Sequence, residues 1–428
     1  MRAPALSIPN VSTETKLVVG LIGGSEFVNH AYLVLFPPIL GILATDFEVS
    51  LGLLGLAMGV QGFTNTVFQL PFGYLSDNYD RQFALALSLA LSTGSVFVIA
   101  LAPTFEVLLL GQALLGIGVA GHHPVHFPLL AAATPENLRG RAFSIRGFLG
   151  SLGFAAPPTV VTGVIAVPGL TWRHAVGLIG AFGAVYAAIT LLTFWRYVDD
   201  GITTPDGSRS AATDDRSIGS RIRSELRAIV AAPAIVALAV LALASSIAGW
   251  GVTTYVVVLL QDGYGVALNV ANLTLTGMFV AGAVTVLVGG DLSDRYAAGP
   301  VILSSYAGIA VLVALLASFV VSPILAILVA LILGGVRSLG GPARSKLADV
   351  LSSRSDLGRN FAIITVGTMS GSAIAPPVFG ALIERSGLRI TFLVVAAVAL
   401  VALLITLAIL RVYGAETGFV GNPASGGD

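Results

Sequence analysis

Gly73-Tyr74-Leu75-Ser76-Asp77-Asn78-Tyr79 and Gly290-Asp291-Leu292-Ser293-Asp294-Arg295-Tyr296 are the stretches from which the architecture is read, because five of their seven positions are identical at an offset of 217 residues. Pro124 and Pro342 repeat at an offset of 218, as do Leu129 and Leu347, Gly140 and Gly358, Arg141 and Arg359, and Phe143 and Phe361. Arg173 and Arg389 repeat at 216. Separated anchors at a nearly constant offset mark a tandem duplication of about half the chain.

Each copy is too apolar to fold in water. Of 428 residues 56% are hydrophobic and only 10% charged, against about 25% charged in soluble domains. With 22 Lys+Arg and 22 Asp+Glu there is no basic surplus for nucleic acid, and with no cysteine there is neither a disulfide framework nor thiolate chemistry. A hydrocarbon core of about 30 Å takes roughly 20 apolar residues per helix. Runs of that size recur at 17–44, 50–75, 81–102, 104–131, 141–167, 172–196, 229–260, 267–292, 299–320, 323–348, 360–384 and 388–412. The expected fold is an all-α membrane protein with twelve transmembrane helices in two pseudo-symmetric six-helix bundles. The bundles are expected over 1–196 and 229–412, with a polar linker over 197–228, a surface helix near Arg221–Arg227, and a disordered tail over 413–428. Residues 1–16 have no short apolar core with a cleavage site, so the first helix is expected to be retained. Only Arg173, Arg385 and Arg389 fall in loops opposite the termini, and Arg337 lies within span 10. The other basic residues lie on the side of the termini, which predicts an inner-membrane protein with both ends cytoplasmic.

Duplicated bundles of this kind enclose a site between the repeats near the midplane. The chain resembles the major facilitator superfamily from span 1 to span 12. That superfamily's loop signature runs Gly-x-Leu-x-Asp-Arg-x-Gly-Arg. Gly73, Leu75, Asp77 and Arg81 match it, with Asn78 and Asp80 departing; Gly290, Leu292, Asp294 and Arg295 match in the second copy, with Ala297 and Ala298 at the later Gly and Arg positions. The resemblance implies that Gly73, Asp77, Arg81, Gly290, Asp294 and Arg295 form a latch that shuts the cytoplasmic side. On physical grounds a carboxylate at a helix end can also simply cap a neighbouring helix. Phe27-Val28-Asn29-His30, Pro37-Pro38 and His123-Pro124 are similar to the fosmidomycin-resistance group of exporters.

Ionisable side chains near the bilayer centre cost roughly 2.5–3.5 kcal/mol each and so face a cavity or a partner. Glu26 and His30, four residues apart on one face of span 1 with Asn29 beside them, form a pair able to exchange a proton, or a structural pair locking span 1 to a neighbour. His122, His123 and His126 in span 4 read as a substrate or proton site, as inter-helix hydrogen bonds, or as part of a transition-metal site whose donors would be Glu26, His30, His122 and His126. Arg337 in span 10 suits an anionic group or an internal acid, and Arg344 and Lys346 read as gate or topology residues. Trp250 and Tyr255 in span 7 are candidate cavity residues. Gly147, Gly150 and Gly153 with Pro157-Pro158 in span 5 are spaced for close helix approach; the pattern is loosely similar to an antiporter motif, and Arg146 before it reads as gate or interface anchor.

Neither lysine follows a phosphate-binding glycine loop, and no nucleophile–base or metalloprotease motif appears, so ATP hydrolysis, dinucleotide binding and enzymatic chemistry are not expected. The reading is a secondary active transporter without resident cofactor or metal, expected to be monomeric. It would be a proton-coupled exporter of a small, anionic or amphiphilic compound, associated with efflux and drug resistance. The proton site would be Glu26 and His30, with Asn29, His122, His123, His126, Arg337, Trp250 and Tyr255 around the substrate. The rivals are a proton symporter importing a small solute, a transition-metal transporter, and a non-transporting membrane sensor.

Overall fold

The computed structural model describes residues 11–205, 232–295, 297–352 and 357–417; for 294, 357–359 and 415–417 it describes the backbone. Among these residues eleven helices are long and apolar enough to cross a membrane. They are α1 (Thr13–Asp46), α2 (Leu51–Asn78), α3 (Arg81–Ala100), α4 (Phe105–Ala133), α5 (Glu136–Ile165), α6 (Trp172–Tyr197), α7 (Pro233–Gly263), α8 (Leu268–Arg295), α9 (Ala298–Ser318), α10 (Pro323–Leu351) and a last element, Leu357–Thr417. Sixty-one residues of helix would span about 90 Å at 1.5 Å per residue, three times a hydrocarbon core. Gly387, at φ 78° and ψ 170°, divides the element into α11 (357–386) and α12 (388–417), giving the twelve spans expected. The expected surface helix near 221–227 lies outside the described residues, as do 418–428 of the expected tail, whose first residues, 413–417, continue the last helix.

Short loops work because their polar residues cap the next helix. Ser12 accepts from Thr15 N at 3.0 Å, Ser50 from Leu53 N at 3.3 Å, and Ser322 from Leu325 N at 3.4 Å. Arg81 donates to the Ile202 carbonyl at 2.8 Å, tying the short helix Asp200–Thr203 to the end of the first bundle that carries the termini.

Four spans are interrupted. In α1, Pro37-Pro38 produce a 3-10 turn between Leu33 and Leu40. In α4 the break is Gly121, before His122; in α10 it is Gly340, before Gly341-Pro342; α5 is broken at Phe154-Ala155. The interruptions of α4 and α10 occupy corresponding places in the two copies, a recurrent sign of a binding region in repeat-built transporters.

The halves meet most closely on the face away from the termini. A Cβ at Gly59 would lie 2.8 Å from the Ala373 carbonyl oxygen, and one at Gly62 2.7 Å from Ala373 N, so α2 and α11 touch backbone to backbone. Asn272 donates across the halves from Nδ2 to the Pro38 carbonyl at 3.1 Å, and within the second half Tyr255 donates from its hydroxyl to the Pro376 carbonyl at 2.5 Å. The hydroxyls of Thr159 and Thr276 lie 3.1 Å apart, and Glu384 accepts from Gly52 N. At the opposite end Asp77 is exposed and makes no hydrogen bond or ion pair among the described residues. Arg295 is engaged by Asp291 at 2.8 Å, and the side chain of Asp294 lies outside those described. Gly73 and Gly290 have room for a Cβ. Among the described side chains, the expected latch residues are therefore not joined across the halves in this conformation.

Candidate functional site: an acid–histidine–arginine cluster facing two cavities

Glu26 sits about 20 Å along α1, counted from Thr13 at 1.5 Å per residue, and is 1% exposed. Its carboxylate is surrounded on both oxygens. Arg146 Nη2 lies 2.7 Å and His30 Nε2 3.3 Å from Oε1, while His126 Nδ1 lies 3.1 Å from Oε2. The approach of α5 that delivers Arg146 depends on glycine. A Cβ at Gly150 would stand 2.7 Å from His30 Nδ1 and 2.8 Å from Glu26 Cγ, and Gly153 lies against the Phe27 backbone, whereas Gly147 faces open space.

The histidines then take distinct roles. Arg146 Nη2 also donates to His123 Nδ1 at 2.7 Å, and its guanidinium stacks 4.4 Å over Phe127. Ser88 gives its hydroxyl proton to the Gly118 carbonyl at 2.7 Å, so it accepts from His122 Nδ1 at 3.0 Å. His126 Nε2 lies 3.3 Å from Ser25 Oγ. His122 and His126 are wholly buried and line neither of the two cavities beside the cluster, because the turn after Gly121 points them into α1 and α3. Tyr255 is likewise wholly buried at the α7–α11 contact. These three were expected around the substrate, and none of them lines either of these two cavities.

Three potential metal donors converge, with His123 in place of the expected His122 and His126: Glu26, His30 and His123 each offer an atom within 4.8 Å of the others. The Arg146 guanidinium already occupies that convergence, holding Glu26 Oε1 and His123 Nδ1 at once. A cation is thus built into the cluster as a side chain.

The smaller of the two cavities, 170 Å³, lies between the bundles and is lined by Asn29, His30 and His123 from the first half and Trp250, Thr368 and Ser372 from the second. The larger, 680 Å³, is within the usual ~300–1,000 Å³ of small-molecule sites. It runs along α7, α10 and α11 toward the end carrying the termini and includes Arg337, Arg344, Ser245 and Phe361. Phe154, Trp250 and Thr368 wall both. Phe154 stacks on His30 at 4.3 Å and on Phe279 at 5.4 Å, which connects the cluster to the larger cavity through aromatic faces.

Arg337 donates to the Gly249 carbonyl at 3.1 Å and Thr253 Oγ1 at 2.6 Å; Arg344 donates to Ser245 Oγ at 3.2 Å and the Tyr306 hydroxyl at 3.1 Å. Neither meets a carboxylate among the described residues, so both guanidiniums keep their positive charge facing the cavity. Arg344 therefore belongs with Arg337 on the cavity wall. Sequence reasoning left it at the gate because only the break at Gly340 brings it inward.

The sequence matches the profile of the Major Facilitator Superfamily over residues 22–269 and 238–424, which together take in both bundles. The chain belongs to the Major Facilitator Superfamily. It is a multi-pass membrane protein of a family of secondary transporters, not enzymes. It is 26% identical over 385 residues to the uncharacterized MFS-type transporter YfnC of Bacillus subtilis (strain 168), covering 88% of each chain. It is 23% identical over 296 residues to the fosmidomycin resistance protein of Escherichia coli (strain K12), covering 68% of this chain and 69% of that one. In fold it superposes with a TM-score of 0.78 on a bacterial homolog of the human lysosomal transporter Spinster in its inward-facing, unoccupied conformation, at 15% identity over 95% of this chain and 99% of that one.

Proposed function

We propose that this transporter is a proton-coupled exporter of a small organic anion with an apolar body, lying in the inner membrane with both termini cytoplasmic. The observation that carries the reading is the division of charge around two adjoining cavities that share the walls Phe154, Trp250 and Thr368. The first half supplies a buried carboxylate ringed by histidines, and the second supplies two arginines without acid partners among the described residues. A carboxylate in such a ring can take up and release a proton, while the arginines suit a carboxylate or phosphoryl group by charge-assisted, bidentate hydrogen bonds. Phe154, Phe279, Trp250 and Phe361 suit the apolar body. With the termini cytoplasmic, the closed α2–α11 face is external and the larger cavity opens inward, ready to load from the cell. The likeness to a protein named for fosmidomycin resistance supports export.

Import by symport has its own support in Arg146. Protonating Glu26 would free that guanidinium one side chain from the cavity wall, where His123 stands, so a proton and an anion would bind cooperatively. The test is reconstitution in vesicles with an imposed pH gradient, recording proton movement against a panel of organic anions. Active compounds should move protons, and Glu26→Gln should abolish gradient-driven flux. Normal gradient-driven flux in that variant removes the coupling role, and the direction of accumulation decides between export and import.

A further inference from the structure

Three amide side chains on the wall of the smaller cavity carry unused hydrogen-bonding capacity. Asn29 from α1 and Gln61 and Asn65 from α2 are 2%, 5% and 8% exposed, and Asn29 Oδ1, Gln61 Nε2 and Asn65 Oδ1 have no partner among the described residues. Gln61 and Asn65 are four residues apart and share one face of α2. Gly62 between them is seated on the Ala373 backbone, so α2 cannot rotate the amides away without breaking the contact between the halves. An unpartnered buried polar group is destabilising, and an apolar residue of similar shape would avoid that cost. Three such groups around one small space are accounted for when a molecule entering it supplies their partners.

Among the described residues neither end of any of the three amides has a partner, so each offers one acceptor and one donor. A carbonyl would satisfy only the amide N–H groups and an ammonium only the amide oxygens, whereas hydroxyl groups both donate and accept. The 170 Å³ volume admits a fragment of a few hydroxylated carbons, at about 30 Å³ per water-sized group. Phe154, Trp250 and Thr368 are shared walls between this cavity and the one that holds Arg337 and Arg344. We propose that Asn29, Gln61 and Asn65 form a hydroxyl-recognising subsite, and that the substrate is an organic anion spanning both cavities whose apolar body, against Phe154 and Trp250, ends in hydroxyl groups. Its charged end lies toward Arg337 and its hydroxyls between α1 and α2. This rests on the reading of the transported compound as an organic anion.

Trp250 walls both cavities, and the chain's other tryptophans are Trp172 and Trp195. In a Trp172→Phe/Trp195→Phe background the emission of Trp250 therefore reports occupancy. Three six-carbon probes serve: gluconate, hydroxylated and charged; hexanoate, charged only; and sorbitol, hydroxylated only. Gluconate is expected to titrate Trp250 at least about tenfold more tightly than hexanoate. Gln61→Leu/Asn65→Leu should bring gluconate down to the hexanoate level, leave hexanoate unchanged, and not lower the thermal unfolding midpoint. Gln61→Leu alone, read the same way, serves if the double variant does not fold. Equal titration by gluconate and hexanoate, unchanged gluconate binding in the Leu variants, or a lowered midpoint with binding intact overturns the subsite. If hexanoate binds like gluconate and both are lost in Arg337→Met, the anion reading survives and the subsite fails. If sorbitol matches gluconate and Arg337→Met changes nothing, the subsite stands and the anion reading fails. Silence from all three probes overturns both.

Discussion

At the scale of single residues, the decisive contact is between Arg146 and Glu26. Two imidazoles alone leave a buried carboxylate dependent on their protonation, whereas a guanidinium is always charged. Arg146 completes the cluster while its own side chain is 8% exposed. Removing one member of a buried ion pair strands the other, typically at a cost of about 3–5 kcal/mol. Arg146→Ala should therefore destabilise the detergent-purified protein by about that amount, and Glu26→Gln added to it should recover a large part, giving a strongly non-additive double-mutant cycle. Additive effects would mean that the pair carries no coupling energy. Neither role considered for Arg146 from the sequence, gate or interface anchor, anticipated this partner. The two residues are 120 positions apart in different helices, and nothing local to either names the other.

At the scale of elements, the glycines of α5 are unequal although they look alike in sequence. Gly150 must be glycine because His30 and Glu26 fill the space its Cβ would need, while Gly147 has nothing within 4 Å. Gly150→Leu should push α5 away from α1, at the roughly 1–3 kcal/mol of an overpacked contact, and sharply reduce transport. Gly147→Leu should leave both stability and transport near the parent values. Equal effects, measured by thermal unfolding and vesicle flux, would show that the glycine spacing rather than this contact is what α5 requires. The breaks in α4 and α10 belong to the same scale. Pro124 and Pro342 signal them in the sequence, but the turn angle that hides His122 and His126 and brings Arg344 inward arises from helix packing.

For the whole molecule, the two ends of the bundles are in different states: one is closed through α2, α5, α8 and α11, and the other leaves Asp77 unpaired among the described residues. Because the chain has no cysteine, introduced pairs report cleanly. Thr159→Cys/Thr276→Cys, replacing hydroxyls 3.1 Å apart, should form a disulfide that holds this face shut and arrests transport until reduced. Full flux in the oxidised protein would show that this face need not open. If the residues of the repeated loop signature latch the end that carries Asp77 when it closes, Asp77→Asn should leave the inserted protein and this conformation intact and slow turnover; an unchanged rate in vesicles would retire the latch.

Hydropathy and the repeat are properties of the chain itself, so the bilayer location, the twelve spans and the superfamily could be read before any helix was placed. Helical spacing likewise brought Glu26 and His30 onto one face. Which side chains share a cavity is another matter, because it depends on how helices rotate and approach across a bundle, and small residues control that approach. The partnership of Arg146 with Glu26, the retreat of His122, His126 and Tyr255 from the cavities, and the unpaired amides of Gln61 and Asn65 all arise there. Gln61 and Asn65 had a signal available, two amides four residues apart in an apolar span, but only the contact of Gly62 with Ala373 shows that they face the other half. Distances between distant segments are set by packing, and packing energy is shared among too many contacts to be legible in any one stretch of sequence.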